Sequence, residues 1–127
     1  MIAQAFSATL VGIEASLVTV EVDFRQPKMD GGNFTMVGLP DKAVQESQVR
    51  VKSAISNSEL VWPNFHIICN LAPGDVRKEG PALDLPIAIA VLAANGTVPR
   101  SELEDTLLLG ELGLDGRLRP VDGAVNI

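Results

Sequence analysis

Tyrosine is absent from this chain, and tryptophan, cysteine and histidine occur once each, as Trp62, Cys69 and His66. Aromatic residues make up only 4% of the sequence, so the core must be built from aliphatic and small side chains. A lone cysteine forms no internal disulfide, which fits a reducing compartment. One Cys and one His cannot supply a zinc site, to which carboxylates would add only weaker ligands. The chain has no Gly-Lys dipeptide, which excludes the glycine-rich phosphate loop, and no dinucleotide-binding fingerprint occurs. No run reaches the ~18 apolar residues needed to span a bilayer. The apolar N-terminus is interrupted by Gln4 and Glu14 and follows no basic stretch, so it reads as a strand and not as a signal peptide. A cytoplasmic location without a membrane partner is the expectation.

What is present suits one domain spanning residues 1–127, long enough to bury a real core. Hydrophobic residues account for 46% and the net charge is −6. That balance argues against a domain built mainly to hold phosphate backbones, but it leaves room for a local basic strip.

The organising stretch is Arg77–Ala94, which begins charged and then turns apolar, with no polar side chain from Ile87 to Ala94. A helix that is apolar all round must be covered on several sides. The sequence predicts this central helix over Leu83–Asn95. Pro86 is tolerable only in the first turn, and Asn95-Gly96 supplies the stop. The loop before it, Ala72–Pro81, is where chemistry would sit.

The remaining elements follow from periodicity. Ile2–Val11 is extended, with Gly12 as a break, and Ser16–Phe24 alternates as a half-buried strand facing it. Arg25–Asn33 contains Pro27 and Asp30-Gly31-Gly32 and reads as a loop. Phe34–Val37 is a third strand, and Gly38–Asp41 is a turn ending in a helix cap. Lys42–Asn57 is an amphipathic helix with Val44, Val51, Ala54 and Ile55 as its stripe, Ser47 and Gln48 in the gap, and Glu46–Arg50 as a surface pair. Phe65–Leu71 is a strand whose core face carries Phe65, Ile67, Cys69 and Leu71. Thr106–Gly110 reads as a buried strand. Asp115-Gly116 between Leu114 and Leu118 signals a hairpin with positive φ at both central residues. The order of elements predicts an α+β fold, with a mostly antiparallel sheet and helices on one face.

Few residues carry a chemical signal. Cys69 reads as a small core residue and His66 as a sheet residue on the opposite face. Asp75, Glu79 and Asp84 surround the head of the central helix, where negative charge is favoured, and read as capping and solvation, with an acid/base or metal pair as the alternative. Arg77 and Lys78, with Arg117 and Arg119, form a basic strip if the loop and the hairpin are neighbours; otherwise they pair with Asp75, Glu79 and Asp115.

Three segments together resemble a known family. They are Val37–Asn57, with Val-Gly-Leu-Pro-Asp-Lys-Ala-Val-Gln-Glu-Ser; Asn70–Ala90, with Asn-Leu-Ala-Pro-Gly-Asp-Val-Arg-Lys-Glu-Gly-Pro-Ala-Leu-Asp-Leu-Pro; and Gly110–Val121, with Gly-Glu-Leu-Gly-Leu-Asp-Gly-Arg-Leu-Arg-Pro-Val. In this order they look like the N-terminal domain of the ComM/YifB family of magnesium-chelatase-related AAA+ ATPases. The resemblance implies a fold similar to the Lon protease domain and the Lon-like domain of RadA, a mixed sheet with helices packed against it. It implies further elements after Ile127 and then an ATPase module that binds ATP and magnesium, which would leave the last strands here with an exposed edge or apolar patch. For the full-length protein it implies a homo-oligomeric ring, a hexamer, acting on DNA in branch migration linked to natural transformation.

Lon-type peptidases use a serine after Gly-Pro at the head of the central helix, and a lysine after a Pro-x-Gly-Gly segment. Here Gly80-Pro81 precedes Ala82, and the lysine position falls near Val125. Both halves of the nucleophile–base pair are missing. The resemblance therefore implies a non-catalytic accessory domain with no catalytic, cofactor or metal residues, in which Arg77, Lys78, Arg117 and Arg119 are the candidate nucleic-acid or partner contacts. The alternatives are a Lon-like peptidase with a displaced active site and a subunit domain of a magnesium-chelatase-type ATPase.

Overall fold

The computed structural model describes residues 2–11, 14–26, 33–78 and 80–120. Two long strands open the chain, β1 (Ile2–Val11) and β2 (Glu14–Arg25). They pair antiparallel from Ile2 opposite Asp23 to Val11 opposite Glu14. Their alternation sends Ala3, Ala5 and Ser7 together with Val18, Val20 and Val22 to one buried face. On the other face Glu21 accepts from Gln4 Nε2 at 3.4 Å and from Asn70 Nδ2 at 2.8 Å, a polar row across the strands.

β3 (Phe34–Val37) leads into α1 (Lys42–Asn57), and β4 (His66–Ala72) returns parallel to β3. A parallel pair needs such a crossover element. β4 also pairs antiparallel with β2, giving the order β1-β2-β4-β3. Its core face carries Ile67, Cys69 and Leu71. Phe65 precedes the strand and is 41% exposed, so it leaves the face predicted for it and stacks on Phe24 with ring centroids 5.2 Å apart.

A 3-10 turn at Pro81–Leu83 opens into α2 (Asp84–Ala94). This is the central helix, and only Leu85 and Ile89 of its side chains retain partial exposure. It packs on β1 and β2 and against α1. The small residues Ala3 and Ala5 of β1 give the buried helix little side-chain bulk to clear on that strand. Pro86 lies in the first turn, and Gly96 follows at φ +86°, both as the sequence predicts. The α+β class and the mixed sheet agree with the sequence reading.

Two local readings are corrected. Thr106–Gly110 is not a buried strand. Leu107 makes a single bridge to Phe6 and is 47% exposed. The backbone that would continue a ladder is used at the helix head instead, where Gly110 N donates to Ala82 O at 2.9 Å and Leu85 N to Gly110 O at 3.0 Å. The hairpin exists as β5 (Glu111–Leu112) against β6 (Leu118–Arg119), but its turn differs. Gly116 N donates to Gly113 O and Gly113 N to Arg117 O, and of Asp115 and Gly116 only Gly116 has positive φ, at +91°. That is a three-residue loop ending in a left-handed glycine, a standard alternative to the two-residue turn. The residues read as the loop centre at 27–32, the tail from Val121 to Ile127 with its Val125 position, Gly12 and Glu79 lie outside the described residues.

Candidate functional site

The loop ahead of α2 is joined to the turn ahead of α1. Gly38 has φ +105°, and a Cβ there would sit 2.0 Å from Leu71 O, so only glycine lets the turn pass over β4. Leu39 follows at φ +56°. Lys78 N then donates to Leu39 O at 3.0 Å, and Asp41 N to Lys78 O at 2.9 Å. Asp41 serves both segments. One carboxylate oxygen accepts from Val44 N at 2.8 Å as the α1 cap, and the other from Gly80 N at 3.1 Å. Two stretches far apart in sequence thus form one unit at the head of both helices.

Lys78 sits inside this unit. Its side chain is wholly covered, although it lies close beneath the surface under its own loop. Its Nζ donates to Pro73 O. Burial lowers its pKa from the ordinary lysine value, with Asp75 acting weakly in the opposite sense.

One turn further on, Asp84 is fully buried in the first turn of α2. Ser47 Oγ donates to its Oδ1 at 2.5 Å, and Arg50 Nε to its Oδ2 at 2.6 Å. Arg50 Nη2 also reaches Oδ1 at 3.1 Å, and Leu112 N donates to Oδ2 at 3.0 Å. The carboxylate therefore joins α1, α2 and β5. The hydrogen bond to Asp84 raises the Arg50 pKa further, against the effect of burial, and Glu111 and Glu46 add to the rise. Arg50 thus keeps its proton and cannot act as a base beside Ser47. Arg50 turns inward instead of making the surface pair with Glu46 that its spacing predicts, and Asp84 anchors the helices instead of serving solvation. A charged residue between Leu83 and Leu85, and a serine in the gap of an apolar stripe, were the available signals for this cluster.

The four predicted contacts are not assembled into one strip. Lys78 lies beside the cap of α1 and is buried, which removes it as a surface contact. Its charged end there meets the Pro73 carbonyl. Arg117 sits at the hairpin, whose turn meets the other end of α1, where Asn57 Nδ2 donates to Leu114 O at 2.8 Å. A helix of this length separates the two by roughly 24 Å. Arg117 is paired with Asp115 at 3.5 Å, both well exposed, an interaction of small energy. Arg119 lies opposite Glu111 in the hairpin, and Arg77 is exposed in the loop. Ala82 occupies the position after Gly80-Pro81 and is half-buried. Cys69 is buried, and burial pushes its pKa up to about 12. His66 faces away from the core, with its Nδ1 covered and unpaired among the described residues. No cluster of three or more metal-ligating side chains occurs among the described residues, and no helix there is long and apolar enough to cross a membrane.

Comparison with known proteins gives a consistent result. The family described as subunit ChlI of Mg-chelatase matches residues 20–127. Competence protein ComM of Haemophilus influenzae is 44% identical over 124 residues, covering 98% of this chain and 24% of that protein. The uncharacterized protein YifB of Escherichia coli is 47% identical over 116 residues, 91% of this chain and 22% of its own length. An uncharacterized protein of Mycobacterium tuberculosis is 42% identical over 122 residues, 96% of this chain and 24% of its own. The chain spans about a quarter of the length of these relatives. With a family model over residues 20–127 and relatives 44% and 47% identical over most of the chain, the chain belongs to the magnesium-chelatase ChlI-related family that includes ComM and YifB.

Proposed function

We propose that this chain is a non-catalytic accessory and assembly domain of a ComM/YifB-type AAA+ ATPase, with a Lon-like scaffold that has lost its dyad. The full protein would form a cytoplasmic homo-oligomeric ring, with ATP and magnesium held in its ATPase module, and would drive DNA branch migration linked to natural transformation. The observation that carries the reading is Ala82 behind Gly80-Pro81, where a Lon-type peptidase has its serine. The polar groups next to it support the same reading, because Asp84, Ser47 and Arg50 bond one another as a structural joint.

Sedimentation of the full-length protein with and without ATP tests the assembly role. A ring that forms with the domain and fails without it is expected, and a protein that stays monomeric throughout would overturn it. Digestion of unfolded casein, with labelling by a serine-directed probe, tests the peptidase alternative, and no turnover is expected. Direct DNA contact now rests on Arg77, Arg117 and Arg119. Removing their charges should lower the affinity of the full protein and flatten its salt dependence. A second reading, a domain of a chelatase subunit, is favoured by the family description alone. ATP-dependent insertion of magnesium into a porphyrin by the full protein would establish it.

A further inference from the structure

The two edges of the four-stranded sheet are finished differently. At the β1 edge Leu108 N donates to Phe6 O at 2.8 Å and Leu107 bridges Phe6, so passing chain covers part of it. At the β3 edge no such cover exists among the described residues. Asn33 O accepts from Ile67 N at 2.7 Å, which turns the backbone groups of Asn33, Thr35 and Val37 toward β4. Backbone groups of successive strand residues point to alternate sides, so those of Phe34 and Met36 point outward. Two N–H and two C=O groups on one edge are a template for a further strand. Exposed edges are commonly blocked by a charge or a proline, and Phe34-Thr35-Met36-Val37 has neither.

Beside this edge lies a groove of about 300 Å³ between β3 and α1. Phe34 and Trp62 form its apolar floor, with ring centroids 5.6 Å apart. Val49, 65% exposed, extends that surface along the helix, and Gln48 supplies neutral polar groups. Lys52 is the only charged residue among those lining the groove, a positive charge on a chain whose net charge is −6.

We infer that the β3 edge and this groove form a docking site for an extended acidic peptide segment. The peptide adds to β3 as a strand, seats one apolar side chain on Phe34, Trp62 and Val49, and places a carboxylate against Lys52. Backbone pairing supplies the affinity, and alternate side chains over the groove supply the selectivity. A single cation suits one carboxylate and not a run of phosphates, which would need several positive groups.

The test uses the 127-residue chain and a phage-displayed library of random seven-residue peptides, with recovered sequences synthesised. Selection should enrich an apolar residue and an Asp or Glu two positions apart, so that both fall on the groove face of the added strand. Because Trp62 is the only tryptophan, its emission should shift as these peptides are titrated in. Lys52→Glu, an exposed substitution, should weaken binding by about fivefold, and exchanging the peptide's acid for lysine should restore it on that variant. N-methylating alternate peptide amides should abolish binding in one of the two registers without altering the chain at all. Absence of any selected peptide, or binding indifferent to both Lys52→Glu and N-methylation, would overturn the proposal. So would self-association of the chain that Lys52→Glu abolishes while no peptide is selected, since the edge would then belong to a second copy.

Discussion

Arg50 Nε meets Asp84 Oδ2 at 2.6 Å, linking the middle of α1 to the first turn of α2. Asp84 is fully covered and the Arg50 side chain nearly so, at 19% exposed. Removing one member of such a pair strands the other, whereas removing both does less harm. Arg50→Met should therefore destabilise the chain by about 3 kcal/mol, and Asp84→Ala by at least as much, because Ser47 and Leu112 N lose their acceptor too. The double variant should lose clearly less than the sum, as expected for groups in one network. Urea unfolding of the four proteins measures this, and additive losses would contradict a shared joint.

Much of the architecture was legible in the sequence, because periodicity depends on burial and burial is what the core provides. Val18, Val20 and Val22 announce a strand, and the unbroken apolar run of α2 announces a covered helix. The failures share a different cause. Spacing pairs Arg50 with Glu46, four residues away, although its partner lies 34 positions on, at the head of the next helix. Sequence places Lys78 in a basic strip or in a pair with nearby acids, but its loop closes onto Leu39 and Asp41 and its side chain is buried. Leu107–Leu109 look like a strand, but the neighbouring backbone bonds are taken by the turn at Ala82. In each case a distant segment decides the local outcome.

Gly38→Ala should be severely destabilising. The new Cβ meets Leu71 O at 2.0 Å, and the backbone stands at φ +105°, so both space and conformation oppose it. A loss of about 3 kcal/mol or more is expected, since neither backbone segment has a flexible end that can yield. Gly74→Ala is the control: nothing lies within 4 Å of its added Cβ, and the thermal midpoint should barely move.

Cys69 should resist thiol reagents in the folded chain. Its thiol is fully buried and its pKa is pushed up to about 12, so at pH 8 only on the order of one molecule in ten thousand carries the reactive thiolate. Labelling should proceed at the rate of unfolding and reach completion in denaturant. Rapid modification of the native chain would show that the face of β4 carrying Ile67 and Leu71 opens on its own.

Lys78 should make stability rise with pH in the alkaline range. Burial holds its folded pKa below the unfolded value of 10.5, so between the two the unfolded chain binds more protons. Proton uptake then favours unfolding, and raising the pH through that window removes the penalty; above 10.5 both states are neutral and the effect is complete. The urea midpoint should therefore climb as the pH approaches 10.5 from below. Lys78→Met keeps a stem of similar length, loses the bond to Pro73 O and has no proton to exchange. Its stability at neutral pH should stay within about 1 kcal/mol of the parent, because relief of burial offsets the lost bond. The decisive comparison is the slope: the variant should show a flatter rise over the same range, and an unchanged slope would mean that Lys78 is charged and hydrated when folded.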